Sequence, residues 1–392
     1  MTNKTNEKVH WPELDVLRGL AALLMIVNHA GYKILAPNLT DSGLAGNLLF
    51  IGSFAPVVFF FVTGVGYGIQ SSQKKKAPQW SAILNKVFIL VLADLLMHWS
   101  EGRWLGLDFL GFIGLSSLVL EFVRRSKSPL TFCLVGLIAI SLMRYLIGPV
   151  IDKVFDTQLE WGLLHWIFGT KDTPGVSYPL SPWMAYPFAG YIIGVAAMRY
   201  RGLIETKRVR VVLGLFMLAG LPAIAGLFLA QRGAIFFRWG TVSVAFYVVS
   251  FAVILLGLVA SLLICSNPKL KISQDALSLR GIASLAVVPL HYFLIYLAVL
   301  AGATGMDLFR YSLIAIVILA GSFFLARSVE NLSQIIRQVK TQKVVWVGLA
   351  ALFVLTAGLT LFYSSPNASL ALFPRTLGQL VLCLLFVVRW PF

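Results

Sequence analysis

An arginine and a histidine stand eleven residues apart in the first apolar stretch of this chain, Leu14-Asp15-Val16-Leu17-Arg18-Gly19-Leu20-Ala21-Ala22-Leu23-Leu24-Met25-Ile26-Val27-Asn28-His29. Ionisable side chains inside a membrane helix are costly and mark function by default. Eleven residues turn a helix by about 1100°, three turns plus roughly 20°, so both side chains share one face about 16 Å apart along the axis. Histidine accepts a proton near neutral pH and suits a general base. Arginine holds anionic groups through charge-assisted hydrogen bonds. The stripe has the layout of a site entered from the surface next to Arg18. Asp15, three residues before Arg18, is in reach of an ion pair with it. Asn28 points about 100° away from His29, toward a neighbouring helix. The bland alternatives are an interfacial Asp15–Arg18 pair and a structural hydrogen bond between helices for His29.

A later segment echoes the first. Arg280-Gly281-Ile282-Ala283-Ser284-Leu285-Ala286-Val287-Val288-Pro289-Leu290-His291 repeats Arg, Gly, Ala, Leu and His in register. The chain does not divide evenly about the two copies, and Leu and Ala are abundant, so chance competes with duplication. Either way, a second arginine and histidine lie on one helix face at matched depth.

The elements that must position these groups are membrane helices. Of the 392 residues 58% are hydrophobic and 12% charged, with mean hydropathy +0.85; a soluble domain carries about 25% charge. Apolar runs of membrane-spanning length fall at about 15–36, 47–70, 83–99, 105–123, 129–147, 178–198, 210–230, 240–265, 281–303, 311–327, 344–363 and 370–388. The fold class expected is all-α: one polytopic domain over 1–392 with 10 to 12 transmembrane helices. The tail 1–14 is polar and has no cleavage-site pattern, so the first helix is retained.

The formal charge of +16 would suit nucleic acid, but the basic residues alternate by loop. With the N-terminus in the cytoplasm, that side collects 23 of the 32 Lys and Arg. Its clusters are Lys74 to Lys76, Arg124 to Lys127, Arg199 to Arg210, Lys269 to Arg280 and Arg327 to Lys343. This is the positive-inside rule, and no nucleic-acid partner is expected. The other side has nine, counting Arg144 in mid-segment.

The longest external loop, 148–177, contains a short amphipathic piece, Glu160 to Phe168, read as an interfacial helix. After it, Tyr178-Pro179-Leu180-Ser181-Pro182-Trp183-Met184-Ala185-Tyr186-Pro187 must break regular helix. Irregular backbone at membrane depth is tolerated where it is buried by protein or meets a wet cavity, so a cavity wall is expected there. Gly64-Val65-Gly66-Tyr67-Gly68 reads as close helix packing. Cys133, Cys265 and Cys383 read as buried apolar side chains. His10, His98 and His165 are weaker candidates, and no metal-ligand spacing or hydrolase elbow is present, so no metal is expected.

On these residues the chain resembles the transmembrane acyltransferase superfamily, which includes the acyltransferase type 3 family and bacterial relatives of heparan-α-glucosaminide N-acetyltransferase. Leu14 to Gly31 resembles the first helix of that family, Phe59-Phe60-Phe61-Val62-Thr63-Gly64 its second, and Tyr178 to Trp183 a motif of the heparan-type branch. Gly281 to His291 resembles its late helix ending in histidine. The resemblance implies transfer of an acyl group, usually acetyl, from cytoplasmic acyl-CoA to a hydroxyl or amine of a glycan or glycolipid on the far side of a bacterial inner membrane. Acetyl-CoA would be a donor substrate. Arg18 would contact the donor, His29 would activate the acceptor, and Asn28 would join the catalytic group. Asp15, Arg280, His291, Tyr178 and Trp183 would bind substrates. Asn28 and His29 stand side by side where one branch resembles the asparagine and the other the histidine, which leaves the acceptor class open. Direct transfer is the first mechanism, an acyl-histidine intermediate the second. A secondary transporter or lipid-linked sugar flippase is the competing function, since about twelve helices and a broken one suit it too. The acceptor and the oligomeric state, a homodimer among the options, stay open.

Overall fold

A computed structural model describes residues 10–41, 43–73, 78–100, 106–147, 167, 177–232, 242–364 and 368–388. The expected interfacial helix at Glu160 to Phe168, with His165, lies outside the described residues except for Ile167.

Each expected apolar run is mainly helical over its described residues. In chain order the helices are α1 (Pro12–Ile34), α2 (Gly43–Gly52), α3 (Ala55–Ser72), α4 (Trp80–Ser100), α5 (Phe109–Arg125), α6 (Pro129–Leu142), α7 (Ala185–Arg199), α8 (Arg208–Gln231), α9 (Val244–Ser266), the short α10 (Lys271–Leu277), α11 (Ala283–Leu300), α12 (Leu308–Gln338), α13 (Gln342–Ser364) and α14 (Ala368–Leu385). Among the described residues, nine helical spans are long and apolar enough to cross a membrane; α5, α7 and α14 are shorter. The protein is an all-α integral membrane protein that crosses the bilayer many times.

Local chemistry explains the ends. Pro12 sits at the start of α1, where its missing N–H costs nothing. Glu13 and Asp15 in the first turn complement the helix dipole. Asp307 caps α12 by accepting the Arg310 N–H at 2.9 Å. Asp108 does the same for α5, accepting from Phe109 N at 2.8 Å.

Two segments differ from their expected form. The run at 47–70 is two helices: α2 ends at Gly52, Ser53 and Phe54 turn, and α3 begins with Pro56 in its first turn. The run at 311–327 is the middle of α12, whose 31 residues extend about 46 Å against a hydrocarbon core of about 30 Å. The surplus turns project among the basic clusters. There Arg327 donates to the Asp275 and Ala276 carbonyls at 2.6 and 2.5 Å, and Glu330 accepts the Ile282 N–H at 2.6 Å. Described members of the basic clusters meet the start of α1, in the Arg208–Glu13 pair at 2.7 Å and the Arg280–Asp15 pair at 3.3 Å. We call the face where α1 begins the basic face.

A close, glycine-lined seam joins α3 and α7. A Cβ on Gly64 would lie 2.0 Å from the Pro187 carbonyl oxygen, and one on Gly190 2.0 Å from that of Phe61. About one turn along, Gly68 approaches the Tyr191 carbonyl oxygen in the same way. Apolar burial drives little association in lipid, so backbone contact through small residues is what holds helices together. Gly66 is on the other side of α3 and faces a cavity.

Candidate active site

The echo seen in the sequence is a pair of adjacent, parallel helices. From before α11 to beyond it, the contacts with α1 follow the same order: the Asp15 carbonyl accepts Leu279 N at 3.1 Å, His29 meets His291, and the Ile34 carbonyl accepts Met306 N at 2.8 Å. Gly19 lets α1 pass the end of α10, just before α11, since a Cβ there would overlap the Leu277 carbonyl.

At the basic end Asp15 is a node. Its buried carboxylate takes Arg18 at 2.7 Å on one oxygen, and His10 at 2.8 Å and Arg280 at 3.3 Å on the other. One carboxylate thus orients two guanidinium groups and leaves the cluster net positive. Toward the opposite face, His29 Nδ1 lies 2.8 Å from His291 Nε2, across 262 residues of chain. His291 Nδ1 lies 3.0 Å from the Val287 carbonyl oxygen. Tyr292 stacks on His29 with centroids 4.8 Å apart. Asn28 donates to the Leu49 carbonyl on α2 at 2.8 Å, which locks its amide and leaves a second N–H on the same nitrogen.

Two cavities are stacked on one set of helices. The first, of about 330 Å³, is lined by Asn28, His29, Ser53, Asp108, Tyr178 and Tyr292, among others. The second, of about 390 Å³, lies at the basic face and is lined by Arg18, Thr63, Tyr67, Gln70, Gly281 and Arg337, among others. On α3, Pro56 faces the first and Phe59 the second; on α5, Phe109 and Ile113 divide in the same way; on α11, Val288 and Leu285 do so. Three or four residues are one helical turn, so only about 5 Å separates the two linings. On α1 the stripe spans both, with Arg18 in one and His29 in the other. Among the described residues, the second lining has two arginines and no carboxylate, and the first has one carboxylate and no lysine or arginine.

The Pro-rich break carries Tyr178 to the wall of the first cavity. A turn at Leu180–Trp183, containing the cis Ser181–Pro182 peptide, precedes α7. Tyr178 packs edge-on against Phe60 and Trp183, with centroids 5.1 and 4.8 Å away. These observations meet in one sequence family: the family described as heparan-alpha-glucosaminide N-acetyltransferase, catalytic, matches residues 11–221, over half of the chain. The chain belongs to this family. No curated protein and no solved structure matches it. The matched portion of this acetyltransferase-family chain includes Arg18, Asn28, His29 and the Tyr178 to Trp183 stretch; α11 and His291 lie beyond it.

Not every expected site residue reaches a cavity. Trp183 is fully buried among Phe60, Tyr178, Tyr186 and Phe246 and lines neither one. It is the wall behind Tyr178, because the break aims it into the helix packing. Arg280 also lines neither cavity; its side chain is 60% exposed and turned to Asp15. His291 has no exposed surface and stands behind His29, not in the cavity. Arg337 and Asp108 do line the cavities and were not singled out from the sequence. Arg337 read as one of many loop cations, and Asp108 as a polar residue between apolar runs. The small, Pro-flanked cluster Gly52-Ser53-Phe54-Ala55-Pro56 was the missed signal for the α2–α3 break, which supplies Ser53 and Pro56 to the site.

Proposed function

We propose that this protein transfers an acetyl group from acetyl-CoA, held in the basic-face cavity, to an acceptor amine or hydroxyl of a glycan in the opposite cavity, with His29 as general base. The basic face is the cytoplasmic one on this reading, following the positive-inside distribution, in a membrane such as the bacterial inner membrane. The observation that carries the proposal is the stacking: two cavities of opposite character, one helical turn apart, with one end of the Arg18–His29 stripe in each.

Acetyl-CoA supplies the thioester. Arg18 and Arg337 bind its anionic groups through charge-assisted hydrogen bonds, and the Asp15 node holds Arg18 in place. Asn28, its amide locked by Leu49, offers its second N–H to the acyl oxygen as negative charge develops there. Asp108, with no lysine or arginine beside it among the described lining residues, suits an amino group better than an anionic sugar. An amine acceptor also agrees with the name of the matched family, whose acceptor is a glucosaminide.

The test is acetyl-CoA consumption by the purified, membrane-reconstituted protein with a glycan ending in glucosamine, beside its N-acetylated counterpart. Arg18→Gln and Arg337→Gln each raise the KM for acetyl-CoA by about tenfold or more, since a hydrogen bond to a charged group contributes about 1.5–3 kcal/mol. The KM for the glycan stays within about threefold, as neither arginine lines that cavity. An unchanged donor KM in both variants would remove the basic-face cavity from the donor's path. Glycan movement across liposomes without acetyl-CoA would favour a transporter.

A further inference from the structure

We infer that His291, backed by the Val287 carbonyl, is a positioning residue that sets which nitrogen of His29 carries the proton. The inference rests on His29 being the base proposed above, and adds how that base is prepared.

A carbonyl oxygen cannot donate, so the 3.0 Å contact between Val287 O and His291 Nδ1 requires the proton on that nitrogen. In the neutral ring His291 Nε2 then bears a lone pair. This nitrogen is 2.8 Å from His29 Nδ1. Two facing lone pairs at that distance repel, so His29 Nδ1 carries a proton and donates it. In neutral His29 the remaining nitrogen, Nε2, is therefore bare. A charged His291 would reverse the second bond, but it would place a cation where the side chain has no exposed surface. The stacked Tyr292 ring holds the plane of His29. The chain of contacts Val287 O, His291, His29 thus turns a local backbone carbonyl into a choice of tautomer at the cavity wall.

The consequence for transfer is direct. The acceptor N–H proton moves to His29 Nε2, and the nitrogen's electron pair forms the bond to the acyl carbon. The C–S bond breaks, its electrons leave with sulfur, and the proton held on Nε2 passes to that sulfur. While His29 is protonated, its Nδ1–H keeps the bond to His291 Nε2, so the charge forms in a place already arranged for it. His291 touches neither substrate.

The experiment uses the full-length protein, ¹⁵N-labelled at histidine and reconstituted in nanodiscs, with His29→Ala to assign the signals. In the parent protein His29 shows a protonated Nδ1 and a bare Nε2. In His291→Leu, which cannot accept, His29 shifts toward the Nε2–H form and kcat falls by about tenfold to a hundredfold, with both KM values within about threefold. His291→Gln keeps an acceptor for His29 and a donor for Val287, and restores most of both readouts. The inference is overturned if the parent His29 carries its proton on Nε2. It is also overturned if His291→Leu retains the parent tautomer and kcat, or if His291→Gln behaves as His291→Leu while folded. The tautomer is read without any substrate. Full transfer by His29→Ala would overturn the base assignment while leaving the tautomer result standing.

Discussion

Replacing His29 with alanine lowers acetyl transfer by about 10²–10⁴-fold, the usual contribution of a positioned general base. On the general-base role proposed for His29, the loss appears in kcat, because the imidazole would act on the proton that moves in the transition state and contribute little to ground-state binding. Donor affinity is expected to stay near the parent value, since Arg18 and Arg337, the proposed donor contacts, line a separate cavity. His29→Gln gives the same loss: its amide can donate to His291 but has no basic nitrogen to take a proton. Steady-state kinetics on purified variants, with acetyl-CoA binding measured separately by calorimetry, checks both parts. Undiminished kcat in His29→Ala would overturn the general-base role. Accumulation of acetylated parent enzyme, trapped before acceptor is added, would replace direct transfer by the acyl-histidine route.

Gly64→Val prevents the native packing of α3 against α7. A Cβ at this position would lie 2.0 Å from the Pro187 oxygen and 2.8 Å from the Pro187 carbonyl carbon. Both are backbone atoms, so no rotamer change relieves the overlap. Separating the helices would also open the Gly68–Tyr191 and Gly190–Phe61 contacts. Overpacking commonly costs about 1–3 kcal/mol where side chains can yield; here they cannot, and the loss exceeds that range. The expected outcome is poor recovery of monodisperse protein in detergent and a clearly lower unfolding temperature. Gly66→Ala is the control: nothing lies within 4 Å of a Cβ at that position, so stability is kept. Equal recovery of Gly64→Val and parent protein would mean that the seam is looser than its geometry.

These two predictions draw on information that was legible to different degrees. The apolar runs were legible because membrane insertion demands about 20 consecutive apolar residues, a property of each segment alone. The shared face of Arg18 and His29 was legible because helical pitch is local. The glycine seam was legible as a type of contact, but its partner, α7, was not. The α2–α3 break was obscured because both halves are apolar and the proline falls in a position that suits a helix start. The reach of α12 was obscured for the opposite reason. Its last turns are polar and read as loop, yet they stay helical while binding the segment before α11.

What the sequence determined by itself was the membrane-helical class, the distribution of basic residues, and the identities and spacing on α1. These follow from composition and from a repeat of 3.6 residues per turn. Only the tertiary structure decided which groups meet. It placed His291 against His29, turned Arg280 to Asp15 and Trp183 into the helix packing, and brought Arg337 to the wall beside Arg18. The physical reason is that a side chain's chemistry depends on the few ångströms around it, and those neighbours come from distant helices, as with His29 and His291, 262 residues apart. Periodicity along one helix says which way a group points, and only the packing of helices says what it points at.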